Sequence, residues 1–175
     1  MKVWIDLTNS PHINFFEYII QDLKNDGHEI IITCRDLSNT IELIKLKGWS
    51  FTEIGGHAGA KLWKKILYFP RRILGLRRFL SSNKPDIAIS HSSFYSPLAA
   101  SLVGVPSIYI NDNEHAKGNY LAFPFATLVL LPEFLKKVAE KKKWNRIFKL
   151  RYYPGTKEAI YLSKKYQEPI DAKKT

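Results

Sequence analysis

Cysteine is almost missing from this sequence. The single Cys34 excludes an internal disulfide and any paired-cysteine metal site, and sets the expectation of a reducing, cytoplasmic environment. Long apolar runs are missing too. The longest uncharged apolar stretch covers residues 120–132, 13 residues, where a membrane-spanning helix needs about 20. Asp6 comes after only five residues, which argues against a signal peptide. The expectation is a protein that is soluble or peripheral to the inner face of the membrane. G-x-G-x-x-G is absent after the first hydrophobic run, which argues against a standard dinucleotide site there, and G-x-x-x-x-G-K-[ST] occurs nowhere, which excludes a P-loop. Acidic residues are scarce: 16 against 27 basic ones, a net charge of +11. Such an excess attracts polyanions, whether anionic lipid, phosphorylated ligands or nucleic acid, although no RNA-binding signature is present.

What is present is alternation. Hydrophobic runs rich in strand formers at residues 2–7, 29–33, 50–54, 86–90, 107–111, 127–131 and 147–152 are separated by helical patterns at 11–25, 39–47, 61–82, 94–103, 119–125 and 133–142. Strands joined through helices need crossover connections, hence a parallel sheet covered on both faces, and continuous apolar strands fit such burial. The expected fold is α/β: a three-layer Rossmann-like sandwich with a mostly parallel sheet of six or seven strands in the order 3-2-1-4-5-6. Residues 1–162 form the domain, and 163–175 read as a polar tail or the start of a linker.

In an open parallel sheet, ligands bind beyond the carboxyl ends of the strands. Four of the five histidines, all but His28, fall just after an expected strand. The residues gathered at that edge are Asn9 and His12, then His57 in a glycine-rich loop, His91 and Ser92, and finally Asp112, Glu114 and His115. Ser10 as N-cap and Pro11 at the first helical position would put His12 in the first turn of a helix. The positive end of the helix dipole disfavours imidazolium there. A neutral imidazole suits a general base or a substrate contact, and free first-turn N–H groups could hold a phosphate. Asn9, His91, Ser92, Asp112, Glu114 and His115 are the candidates for substrate binding, and the glycine-rich segment around His57 reads as a flexible loop. His91 and His115 with Asp112 or Glu114 also have the chemistry of metal ligands, but no H-x-H or H-x-x-x-H spacing supports one, so neither a metal nor a cofactor is expected.

Residues 61–79 carry seven basic and no acidic side chains. Lys64, Lys65, Arg71, Arg72 and Arg78 recur at seven-residue spacing, which stacks them on one helical face opposite an apolar side. Pro70 should kink the helix. The pattern serves either a crossover helix with a solvated basic face or a surface for anionic lipid headgroups.

The motifs D-L-T-N-S-P-H-I-N-F-F at 6–16, S-H-S-S at 90–93, N-D-N-E-H-A at 111–116 and Y-P-G-T-K-E at 153–158 resemble the domain-of-unknown-function 354 family, largely archaeal. Its members look like two-domain glycosyltransferases of the GT-B fold, similar in layout to UDP-N-acetylglucosamine 2-epimerases and to the glucosaminyltransferase that completes lipid II. The resemblance implies an N-terminal, acceptor-binding half with His12 in the catalytic base position. Asn9, His91, Asp112, Glu114 and His115 would line the cleft, and 153–158 would begin the interdomain crossing. It further implies that a nucleotide-sugar or a phosphorylated or lipid-linked acceptor is handled together with a second domain outside this sequence. This chain is then expected to be inactive alone. A non-catalytic scaffold held at an anionic membrane by the basic helix is the alternative.

Overall fold

The computed structural model describes residues 1–56, 62–159 and 162, with the backbone alone at 62–67. Seven strands, β1 (Lys2–Leu7), β2 (Glu29–Cys34), β3 (Thr52–Glu53), β4 (Ile87–His91), β5 (Ser107–Ile110), β6 (Leu128–Pro132) and β7 (Leu150–Tyr153), form one sheet. Its order is β3-β2-β1-β4-β5-β6-β7, and every pairing is parallel. The helices are α1 (Pro11–Asn25), α2 (Thr40–Leu46), α3 (Leu62–Asn83), α4 (Tyr95–Ser101), α5 (Asn119–Ala122), α6 (Lys136–Lys141) and α7 (Trp144–Ile147). The Rossmann-like sandwich expected from the alternation is the observed fold.

Strand β1 is central, and from Val3 onward every residue of it is buried. The chain runs outward from it through β2 and β3, then α3 carries it back across the sheet to β4 on the other side of β1. The order of strands therefore reverses between β1 and β4, and the diverging loops leave a crevice at their carboxyl ends. One face of the sheet is closed by α1, whose Ile13, Phe16 and Ile20 are fully buried; each such side chain contributes about 1.5–3 kcal/mol. On the other face Leu76 and Leu80 of α3 and Ala99 and Ala100 of α4 pack around Trp4. A third cluster, with Tyr109, Phe123 and Trp144, closes the β6–β7 end.

Several local expectations are corrected. Ser10 does not cap α1: its backbone is already helical, its hydroxyl makes no capping bond, and that oxygen is buried without a partner among the described residues. The third strand shrinks to two residues. The last strand starts at Leu150 rather than Ile147, because Lys143 in a left-handed conformation opens α7, which ends at Ile147. Helix α3 continues through Pro70. Arg72, grouped with the exposed basic face, is instead fully buried and points into the molecule, while Arg71 and Arg78 are exposed. His57, the side chains of Lys64 and Lys65, and the tail 163–175 lie outside the described residues. No helix among the described residues is long and apolar enough to cross a membrane.

Candidate functional site

The floor of the crevice is a buried polar cluster centred on Asp6, near the end of β1. Its carboxylate, with no exposed surface, is paired with Arg72 from α3. One guanidinium nitrogen of Arg72, Nη2, donates to Oδ1 at 2.7 Å and to Oδ2 at 3.0 Å. Thr33 of β2 donates to Oδ1 at 2.7 Å, and Ser93, after β4, to Oδ2 at 2.6 Å. Trp4 Nε1 in turn holds the Thr33 hydroxyl at 2.9 Å. The second arm of Arg72 donates to the Ile54 carbonyl, and its guanidinium lies 5.2 Å from the Tyr95 ring centre. A carboxylate taken this far from water needs several such donors.

Above the floor, β4 ends at His91, and the next residue, Ser92, is left-handed, with φ of 50°. A non-glycine residue costs of order 1 kcal/mol in that region, a strain that clusters at functional sites. Its amide is fixed to the Ile110 carbonyl at 2.9 Å. The reversal sends Ser93 down to Asp6 while His91 faces the crevice. His91 is 4% exposed, packs on Phe15 with ring centres 4.6 Å apart, and meets His12 edge-on at 5.2 Å.

His12 stands in the first turn of α1, where Pro11 and the bonds His12 N–H to Asn9 O (3.0 Å) and Ile13 N–H to Ser10 O (3.1 Å) shape the turn. Those amides are thereby taken, so they do not form the open phosphate cradle expected from the sequence. The ring is buried, and its Nδ1 accepts the Thr8 backbone N–H at 3.4 Å. Burial, then the neighbouring His91 and the more distant cations Lys157 and Arg35, push its pKa down to about 3 against the opposing pull of Asp6. His12 is thus a neutral imidazole.

The third wall is the loop after β5. Asp112 Oδ1 lies 3.5 Å from His91 Nε2, and Oδ2 lies 2.7 Å from the Lys157 ammonium. The first contact is a long ion-pair distance, and neither ring nitrogen of His91 has a closer, well-formed hydrogen-bond partner among the described residues. His91 and then Lys157 hold the Asp112 carboxyl well below the usual carboxylate range, outweighing its partial burial. Amides shape this loop: Asn111 Oδ1 accepts from the Asn113 backbone (2.8 Å) and from Asn119 Nδ2 (3.2 Å), and Asn111 Nδ2 donates to the Ser92 hydroxyl at 3.1 Å.

Asn9, His12, His91, Ser92 and Asp112 together line a cavity of about 410 Å³. Glu114 and His115 do not reach it. The His115 side chain is 84% exposed and pairs with Glu114 at 3.3 Å, while the Glu114 carbonyl accepts from Lys142 at 2.9 Å. Lys157, Asn113 and Phe15 also line the cavity and were not singled out. For Lys157 the signal was the Y-P-G-T-K-E motif itself, whose lysine follows the last strand. Among the described residues no three His, Cys, Asp or Glu side chains are grouped to hold a metal ion.

The fold has counterparts among known proteins. An uncharacterized protein of Methanocaldococcus jannaschii is 35% identical over 133 residues, 75% of this chain and 39% of that protein. The matched stretch thus covers less than half of that relative. The UDP-GlcNAc 2-epimerase of Neisseria meningitidis, solved bound to UDP-GlcNAc, superposes with a TM-score of 0.72 at 14% identity, over 97% of this chain and 51% of its own. The UDP-GlcNAc 2-epimerase of M. jannaschii gives 0.71 at 15%, over 93% and 48%, and MurG of Acinetobacter baumannii 0.61 at 16%, over 74% and 41%. At such identities the likeness is one of fold: this chain corresponds to one Rossmann-like half of GT-B enzymes. The sequence itself goes further, since residues 1–173 match the family described as "Protein of unknown function (DUF354)", and the chain belongs to that family.

Proposed function

We propose that this chain is the N-terminal, acceptor-binding half of a GT-B-like glycosyltransferase or nucleotide-sugar epimerase, and that it has no turnover alone. The observation that carries the reading is the convergence of His12, His91, Asp112 and Lys157 on one cavity at the point where the strand order reverses. The similar structures that bind or act on UDP-GlcNAc are about twice as long as this chain, which supports a division of labour between two halves. Much of the rate in such chemistry comes from positioning between two walls. One wall leaves the site open to water, which weakens each electrostatic contact made there. Residues 1–162 would be the domain, with 153–158 beginning the crossing to the nucleotide-sugar half. Calorimetry with UDP-GlcNAc and UDP tests this. The expected result is no micromolar binding and no epimerisation; micromolar binding that His12→Ala removes would show the half-site to be self-sufficient.

A second reading is favoured by α3. Leu74 is 48% exposed and sits between the exposed Arg71 and Arg78, one turn from each. An apolar side chain flanked by cations suits an anionic lipid surface, where a lipid-linked acceptor would be met on the cytoplasmic side. The chain should sediment with anionic but not neutral vesicles. Replacing Lys64, Lys65, Arg71 and Arg78 with glutamine should abolish this; Arg72, being buried, should not be altered for the purpose.

A further inference from the structure

We infer that His12 acts in this cavity as a fixed hydrogen-bond donor to a phosphoryl oxygen of the ligand, through Nε2–H, and not as a proton-abstracting base. The inference rests on the cavity being a ligand site and deepens that reading. A neutral imidazole has one N–H and one lone pair. The Thr8 backbone N–H can only donate, and it is directed at Nδ1 from 3.4 Å. That places the lone pair at Nδ1 and leaves the proton on Nε2. The Thr8 hydroxyl, 3.4 Å from the same nitrogen, can rotate to donate as well. The first-turn bonds of α1 hold the residue, and the edge contact with His91 holds the ring. Nε2, on the far side of the ring from Thr8, is therefore the nitrogen left for the cavity that His12 lines.

A base would need the opposite arrangement, with an acceptor such as a carboxylate on Nδ1 so that Nε2 carries the lone pair. Asp6, the carboxylate closest to that role along the chain, is engaged by Arg72, Thr33 and Ser93 instead. The class of ligand follows from what surrounds the donor. Lys157 lines the same cavity with its charge shared with Asp112 at 2.7 Å, and Arg35 is held beside the loop by a 3.0 Å bond to the Thr8 carbonyl. His91 adds a buried ring whose two nitrogens have no well-formed hydrogen-bond partner among the described residues, next to the cavity it lines. A phosphoryl group matches the Lys157 ammonium that lines the cavity, with an N–H donor beside it, better than a neutral hydroxyl does.

The test uses the whole chain labelled with ¹⁵N-histidine, and inorganic pyrophosphate as probe. Two-bond ¹H–¹⁵N correlations at pH 7 should show His12 in the Nε2–H form, with its signals moving as pyrophosphate is added. Glutamine can present an N–H near the Nε2 position, whereas asparagine presents it near Nδ1. His12→Gln should thus bind within about threefold of the parent chain, while His12→Asn and His12→Ala bind about 10- to 100-fold more weakly, the range for a hydrogen bond to a charged group. An Nδ1–H form in the parent chain, no response to pyrophosphate, or equal binding by all variants through the +11 charge would each overturn the inference. The tautomer is read without any sugar nucleotide, so its failure is distinct from a failure of the half-enzyme reading.

Discussion

Replacing Arg72 with leucine tests the floor of the site. Leucine keeps much of the side chain's apolar stem and removes the charge. Asp6 then keeps its hydroxyl donors Thr33 and Ser93 but loses both contacts from the guanidinium, in a position with no solvent exposure. The Ile54 carbonyl loses its Arg72 donor as well. Removing one partner of a buried pair costs about 3–5 kcal/mol, because the other charge stays buried and uncompensated. For a chain of this length that corresponds to a fall of roughly 6 to 20 °C in melting temperature. Urea unfolding followed by circular dichroism gives the midpoint, and an unchanged slope shows that the unfolded state is comparable. Arg71→Leu, one residue away and exposed, is the control and should stay within about 0.5 kcal/mol. The double variant Asp6→Leu/Arg72→Leu should lose less than the sum of the single variants, by about 1 kcal/mol or more. An Arg72→Leu variant as stable as the Arg71→Leu control would refute the assignment of that ion pair as the anchor of α3.

His12 makes stability pH-dependent with a definite sign. Its folded pKa, about 3, lies below its ordinary value of 6.5, so between those values the unfolded chain binds the extra proton and stability falls as pH falls. The slope approaches about 1.4 kcal/mol per pH unit, and His12→Gln should flatten the urea midpoint between pH 7 and 5, even though Asp6, His91, Lys157 and Arg35 still face the position. Lys157→Met removes one of the groups that hold the Asp112 carboxyl down; carboxyl ¹³C shifts should show it titrating closer to 3.8, with its contribution to stability lost at higher pH than in the parent chain. Gly118→Ala puts a methyl group 2.6 Å from the Phe94 ring, which is stacked on Tyr95 at 4.4 Å and cannot simply retreat. Overpacking of this kind costs about 1–3 kcal/mol, and an unfolding midpoint equal to that of the parent chain would show that the ring yields.

The sheet was legible because its strands are short apolar runs and the connections between them have helical periodicity. The convergence of His12, His91 and Asp112 on one cavity was legible where chemistry and position coincide, past β1, at the end of β4 and past β5. Arg72 was misread for a geometric reason. Neighbours on a helix point about 100° apart, so of Arg71 and Arg72 one can face the sheet, and the choice was made by a carboxylate 66 residues away. His115 was misread because the amide network of Asn111, Asn113 and Asn119 turns its loop outward, a result of packing that residue type alone does not disclose. Lys157 was passed over as linker, since nothing local reports that the chain after β7 returns to Asp112.

Arg72 also makes α3 more than a cover for the sheet. Through one side chain the helix is pinned to the ends of β1, β2 and β4 by way of Asp6, Thr33 and Ser93, and to the segment after β3 by way of the Ile54 carbonyl. It behaves as a tie-rod across four strand ends. Any slide or roll of α3 must either break a buried ion pair or carry those ends with it, and two of them, the exits of β1 and β4, hold His12 and His91. A partner that grips the outer face of α3 therefore has hold of the same frame that spaces the two imidazoles.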